Sequence, residues 1–238
     1  MAAAAVTASV LGAGLLVASR APFDDAFAAQ RGAHLSVQAD PVSATQAQLL
    51  DSASALGVVA AAGPYPLLVV AVNGPQGLRM PSLTVVARPD PGGDLDRLEL
   101  TGGRWASRPD EIVMGKGAVR MPIGAQVTTA GGAVLTVVGT ATSVSATAGA
   151  WVLPSAVATL DGPGTSHGLL MVYRFAAAGT PAEVEAGRAA VAAKLPAGAV
   201  VGARSWLDVR QHAVEDAAVF VPFLVAFALL GIVMAVLV

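Results

Sequence analysis

Cysteine is absent from the 238 residues. No disulfide, thiolate metal site or cysteine nucleophile is therefore open to the chain. Charge is scarce as well: 13% of residues are Asp, Glu, Lys or Arg, where an ordinary soluble domain carries about 25%. Lysine is nearly missing, with Lys116 and Lys194 standing against twelve arginines. The net charge is −2, and no run of Lys and Arg builds the basic patch that nucleic acid requires. Nucleic acid is excluded as a partner on that ground. The scarcity of charge is uneven. Residues 1–19 and 217–238 carry no charged side chain, so every charge lies between Arg20 and Asp216.

What fills the chain instead is apolar: 55% hydrophobic residues and a mean hydropathy of +0.66. The last twenty residues read VFVPFLVAFALLGIVMAVLV. As a helix they would span about 30 Å, the thickness of a bilayer's hydrocarbon core. Pro222 stands near the start of that run, where its missing N–H does little harm. The first nineteen residues, MAAAAVTASVLGAGLLVAS, read as a second membrane helix. A cleaved signal peptide is the competing reading, although the basic leader such peptides carry is missing. The expectation is two transmembrane helices, at 1–19 and 217–238. They would hold a domain of residues 20–216 on one membrane face. The chain starts inside one apolar segment and stops inside the other, so a piece of a larger protein is expected. With no flanking loop to count, charge does not fix the orientation.

The middle is long enough for its own core. Residues 22–30, with Pro22, Asp24 and Asp25 in the first turn, predict a short helix. Residues 34–39 alternate like a strand. A helix is predicted over 43–56 with Ser43 as its cap. Apolar runs at 58–62, 67–72 and 82–87 predict strands. From Pro89 glycine and proline recur and strands shorten, at 97–100, 111–114, 125–129 and 133–140. Gly102-Gly103 and Gly131-Gly132 act as turn signals, the latter inside a hairpin. After Trp151 comes a short helix at 154–160 and a strand at 168–175. Thr180, Pro181 and Glu183 then open a capped helix over 181–195. A strand at 199–202 follows. Ser205 then caps a helix predicted to run through Asp216 into the last apolar segment. The expected fold class is α+β and two-lobed. Residues 33–88 with 165–204 form a mixed α/β lobe, and 89–150 are inserted as a β-rich lobe.

Candidate chemistry is thin. Gly164-Thr165-Ser166-His167-Gly168 matches the G-x-S-x-G nucleophile pattern. That pattern needs a strand before the serine and a helix after it. Here Asp161-Gly162-Pro163 precedes and a strand-like LLMVYRF follows, which favours a surface loop. His34, His167 and His212 do not stand at metal-ligand spacing with one another or with a carboxylate. His212 with Glu215, three positions on, reads as a solvated helix pair. Asp24 and Asp25 read as first-turn charges. Gly115-Lys116-Gly117 only echoes a phosphate-binding loop. No catalytic residue, metal or cofactor is assigned, and an enzyme is not expected.

The order of features resembles the extracytoplasmic core domain of the FtsX/MacB-type ABC transporter permeases. The segment APFDDAFAAQRGAHLSVQAD gives a short helix and strand directly after the first apolar segment. LELTGGRWASRPDEIVMGKGAVRMPIGAQV follows, with a Gly-Arg pair, a Glu opening a strand, an apolar run and a glycine. Then come AVLTVVGTA and AWVLPSAVATL, and SWLDVRQHAVEDAAVF leads into the second apolar segment. The resemblance covers nearly the whole chain. It implies a multi-pass permease subunit of the cell membrane, with its central domain extracytoplasmic. A separate cytoplasmic ABC ATPase, further permease helices or a second permease copy, and the lipid bilayer would be its partners. ATP-driven helix motion would be relayed to the outer domain for export, extraction or mechanotransmission. Such permeases carry at least four membrane helices and this chain shows two, which again implies a fragment. A membrane-tethered sensor or binding domain stays open from the residues alone. So, at lower weight, does an anchored serine hydrolase on Ser166.

Overall fold

The structure is a computed structural model that describes residues 22–73, 81–117 and 121–218. The expected membrane segment 1–19, and all but the first two residues of 217–238, lie outside the described residues, and among the described residues no helix is long and apolar enough to cross a membrane. The chain opens with helix α1 at 22–29 and strand β1, Leu35–Ala39. Helix α2, Gln46–Asp51, runs into a 3-10 turn, Ser52–Ser54. Strands β2 (Val58–Val70), β3 (Val72–Asn73), β4 (Leu83–Ala87), β5 (Glu99–Gly103) and β6 (Glu111–Gly115) follow, then β7 (Gln126–Thr129), β8 (Val134–Thr142) and β9 (Ala150–Val152). The chain closes through the 3-10 turn Pro154–Ala156, helix α3 (Val157–Leu160), β10 (Thr165–Phe175), α4 (Pro181–Ala192), β11 (Val200–Ser205) and α5 (Trp206–Ala218).

Among the described residues all eleven strands join one mixed sheet, ordered β11-β1-β10-β2-β4-β9-β6-β8-β7-β3, with β5 added on β8. Period-2 alternation decides which face each side chain meets. Helices α2 and α4 cover the β1–β10 end, burying Leu49, Val184 and Val191 against Val37, Met171 and Tyr173. At the other end α3 closes a second core, where Leu160 packs with Leu68, Val85, Ile112, Val137 and Val152. A third cluster runs across both ends on the remaining face, with Leu67, Val86, Val113 and Trp151 beside Leu170 and Val172.

Strand β2 makes the two ends one body. Its first half pairs with β10 alone, and its second half pairs with β10 on one side and β4 on the other. Sequence reasoning breaks this strand in two at Gly63-Pro64, because those residues usually punctuate a strand. The chain passes through instead, with a register shift between Leu170 and Val172 that absorbs the irregularity. Gly63 is required there: its φ is +109°, and a Cβ would stand 2.5 Å from the Leu170 carbonyl oxygen. Leu83, Val85 and Ala87 of β4 share the second core with residues of the 89–150 stretch, and β4 runs parallel to β9.

Two local expectations are corrected. Ser43 is not the cap of α2: its hydroxyl donates to Asp40 (2.7 Å), and Thr45 caps the helix in a capping box with Gln48. The α-helix ends at Asp51 rather than at Leu56. Gly102-Gly103 is no turn either, but the end of β5 laid close on β8. A Cβ on Gly103 would meet the Val138 carbonyl oxygen at 2.2 Å, and one on Gly139 would meet that of Arg104 at 2.3 Å. The Gly131-Gly132 turn between the antiparallel β7 and β8 is where the sequence places it, with Gly132 at φ +86°.

The Gly-Arg to Glu pattern is a staple. Glu111 is 1% exposed. Its carboxylate accepts a two-pronged bond from Arg104 (2.8 and 2.6 Å), the Ser107 N–H (2.8 Å) and the Arg108 guanidinium (3.1 Å). The close approach of Gly103 to Gly139 brings Arg104 to this position. The Arg104 bond is the main cause holding the Glu111 carboxyl far below the usual carboxylate range. A depressed pKa adds stability above the unfolded value and loses it as pH falls below that value. Glu111→Ala is expected to lower the unfolding free energy by about 2–3 kcal/mol, the loss of a bonded charge softened because Arg104 can rehydrate. Denaturant titration of wild type and variant from pH 7 to pH 3 checks this, and the gap between them should shrink toward the acid end.

Candidate functional site: the junction of the two chain ends

Both ends of the domain converge on His34. Its N–H donates to the Tyr173 carbonyl (2.8 Å), its carbonyl accepts from the Trp206 N–H (3.0 Å), and its Nδ1 accepts from the Phe175 N–H (3.0 Å). One residue thus binds β10 and the start of α5. Helix α1 is laid over it. Phe23 and Phe27, four apart, share one helical face, and the Phe27 ring stands 5.7 Å from His34 and 4.9 Å from Trp206. Gly32 makes that approach possible, since a Cβ there would fall 2.3 Å from the Phe27 ring.

An ion pair closes the junction. Arg210 on α5 donates both prongs to Asp24 on α1 (2.8 and 2.7 Å), across 186 residues of chain. The same guanidinium lies 5.8 Å from the Trp206 ring, one turn away at the spacing that puts both on one helix face. Trp206 is anchored in turn by donating its indole N–H to the Ala178 carbonyl (2.9 Å). Helix α5 starts where the sequence predicts: Ser205 Oγ accepts the Leu207 N–H and Asp208 accepts the Ser205 N–H.

The residues singled out in the sequence fall in different places. Ser166 lies inside β10, opposite Val69, so no strand–turn–helix setting surrounds it. Its neighbour His167 bonds Asp161 at 3.0 Å, but adjacent residues of an extended strand project to opposite faces. His212 takes the Asp208 carbonyl rather than Glu215, which accepts from Gln211 (2.9 Å). Gly115-Lys116-Gly117 ends β6, with Gly115 packed on Gly149. Among the described residues no group of three or more His, Asp or Glu gathers as metal ligands would.

No protein-family model matches the chain, and no curated protein matches it. Among solved structures it is similar to the extracellular domain of the noncanonic ABC-type transporter YknZ from Gram-positive bacteria. That similarity has 13% identity and a TM-score of 0.41, over 70% of this chain and 100% of that one. It is also similar to the periplasmic region of MacB from Actinobacillus actinomycetemcomitans, with 11% identity and a TM-score of 0.41, over 75% of this chain and 92% of that one.

Sequence reasoning tested His34 only as a metal ligand, and Asp24 only as a first-turn charge. The available signal was the i,i+4 pairing of Phe23 with Phe27 and of Trp206 with Arg210, one pair at each end. The junction also carries a pH dependence. Burial, then the nearby Arg174 charge, pushes the His34 imidazole below its usual pKa, and its Nδ1 must stay unprotonated to accept from Phe175. The surrounding groups are Arg174, Phe27, Phe175 and Trp206, with the Arg210–Asp24 pair beyond. A group that stays neutral when folded loses the protein stability as pH falls from its unfolded value, about 6.5, through its folded one. Thermal unfolding between pH 7.5 and 5 should therefore show a fall below about pH 6.5. His34→Asn, which can accept the same bond without titrating, should flatten that fall.

Proposed function

We propose that residues 20–216 are the extracytoplasmic domain of a permease subunit of an FtsX/MacB-type ABC transporter, with the charge-free segments 1–19 and 217–238 crossing the membrane as helices. The observation that carries the reading is the junction. Helices α1 and α5 are clamped together by the Asp24–Arg210 pair and the Phe27–Trp206 contact. On this reading the apolar segment before α1 and the one after α5 would leave the domain on the same side. Two segments that start side by side can enter one bilayer face together. The order of sequence features, including the Gly-Arg to Glu staple, supports the family.

On this reading α5 is a lever. Its 13 residues span about 20 Å. It joins β11 directly at Ser205, so displacement of its far end reaches the sheet without a loop between. A separate cytoplasmic ATPase would supply the motion through permease helices beyond those in this chain. In a second permease copy the same junction would be repeated. The domain's own task is to hand that motion to a substrate or partner outside the membrane, for export, extraction or mechanotransmission.

The test is made in the full-length protein with its ATPase. A flexible Gly-Ser insertion after Asp216 should reduce the coupling between ATP hydrolysis and the outer activity severalfold, while far-ultraviolet circular dichroism of the domain is unchanged. Undiminished coupling, or failure of any ABC ATPase to co-purify with the full-length protein, contradicts the proposal. A cytosolic signalling domain encoded beyond Val238 would favour a tethered sensor instead.

A further inference from the structure

A cleft of about 530 Å3 opens between the β1–β11 edge and residues at the ends of β4, β6 and β8. The β1–β11 side contributes Gln38 and Arg204. The opposite wall contributes Lys116 at the end of β6, with the hydroxyls of Ser82, Thr84 and Thr142. Its size lies in the range of sites for small ligands, and junctions between packed units are where such sites concentrate. The 143–149 loop bridges the two sides: the Ala146 carbonyl accepts from Arg204 (3.0 Å), and Ala146 holds a φ of +49° to present it.

The charge of this cleft is one-sided. Two cations, Lys116 and Arg204, line it and no carboxylate does, in a chain with more acidic than basic residues. Among the described residues Lys116 and Arg204, like Arg97 and Arg174, have no carboxylate within salt-bridge distance, whereas Arg31, Arg88, Arg104, Arg108, Arg188, Lys194 and Arg210 each have one. The acid behind the wall is already matched. Asp96 is buried, pairs with Arg88 and accepts from the Ser143 and Thr147 hydroxyls. Concave walls of one sign concentrate counter-ions.

We propose that this inter-lobe cleft binds a small phosphate-bearing anion. A tetrahedral anion in the cleft has the Lys116 ammonium, the free nitrogens of Arg204 and the lining hydroxyls as its donors. Nη1 of Arg204 is engaged by the Ala146 carbonyl, which leaves Nε and Nη2 for the anion, and a phosphate, with more oxygens than a carboxylate, keeps acceptors for Lys116 and the hydroxyls. The phosphate belongs to a soluble ester or to an anionic lipid headgroup, and one chemistry serves both. The site is built from described residues and needs no particular membrane topology, so it stands or falls apart from the permease reading.

The full chain in phosphatidylcholine nanodiscs, titrated calorimetrically with inorganic pyrophosphate, tests it. Saturable binding to one site is expected. Lys116→Ala and Arg204→Ala should each weaken it about tenfold, the loss of one charge-assisted contact. Arg204→Lys should retain most of the affinity, and all variants should keep the wild-type circular dichroism. Repeating the titration in phosphatidylglycerol nanodiscs separates the sources. Loss of pyrophosphate binding by competition assigns the site to a headgroup, and unchanged binding assigns it to a soluble ester. No saturable binding in phosphatidylcholine, or wild-type affinity in both alanine variants, overturns the proposal.

Discussion

The clamp between Asp24 and Arg210 is the constraint on which the account of this protein depends. It joins residues 186 positions apart in the chain, and it does so at the rim of an aromatic cluster. A half-exposed ion pair is worth little by itself. Here it is one of several contacts ordered by the same few residues. Phe27, Trp206 and Arg210 present a single surface because α1 and α5 each put their side chains at i,i+4 spacing, and His34 fixes the backbone under both. The junction is therefore a consequence of two short helices meeting over one strand end.

Behind the junction the sheet is continuous. A displacement applied at α5 meets β11, then β1 and β10, and then the long β2, which is hydrogen-bonded to both halves of the molecule. Strand ladders and close-packed cores transmit displacement without local give. The far half has its own brace in Glu111, whose carboxylate binds the β5–β6 connection, while Gly103 and Gly139 bring β5 against β8.

Much of this was legible in the residues, and the rest was hidden for physical reasons. The α4 cap is wholly local: Thr180 and Glu183 satisfy each other's backbone donors in the structure as in the pattern. The same holds for the Gly131-Gly132 hairpin and for Ser205 at the start of α5. What failed was whatever depended on a distant partner. Gly63-Pro64 looks like a break until β10 supplies a register shift to receive it. Gly102-Gly103 looks like a turn until β8 is seen against it. Ser43 is a good cap by type, but Asp40 takes its hydroxyl first. The junction was missed for the same reason, since no local rule pairs Asp24 with Arg210. The Gly-Arg to Glu pattern was visible as a resemblance, and its cause, a buried carboxylate, was not.

The central claim is that both ends of the domain are held side by side as one rigid unit. The chain lacks cysteine, so Ala28→Cys on α1 and Gln211→Cys on α5, both exposed positions, give unique sites for a pair of spin labels. Pulsed dipolar spectroscopy on the full chain in nanodiscs measures the distance between them. One narrow distribution is expected, and it should broaden when Arg210 is changed to Ala. A distribution that is broad or two-peaked in the otherwise unaltered protein would contradict the central claim.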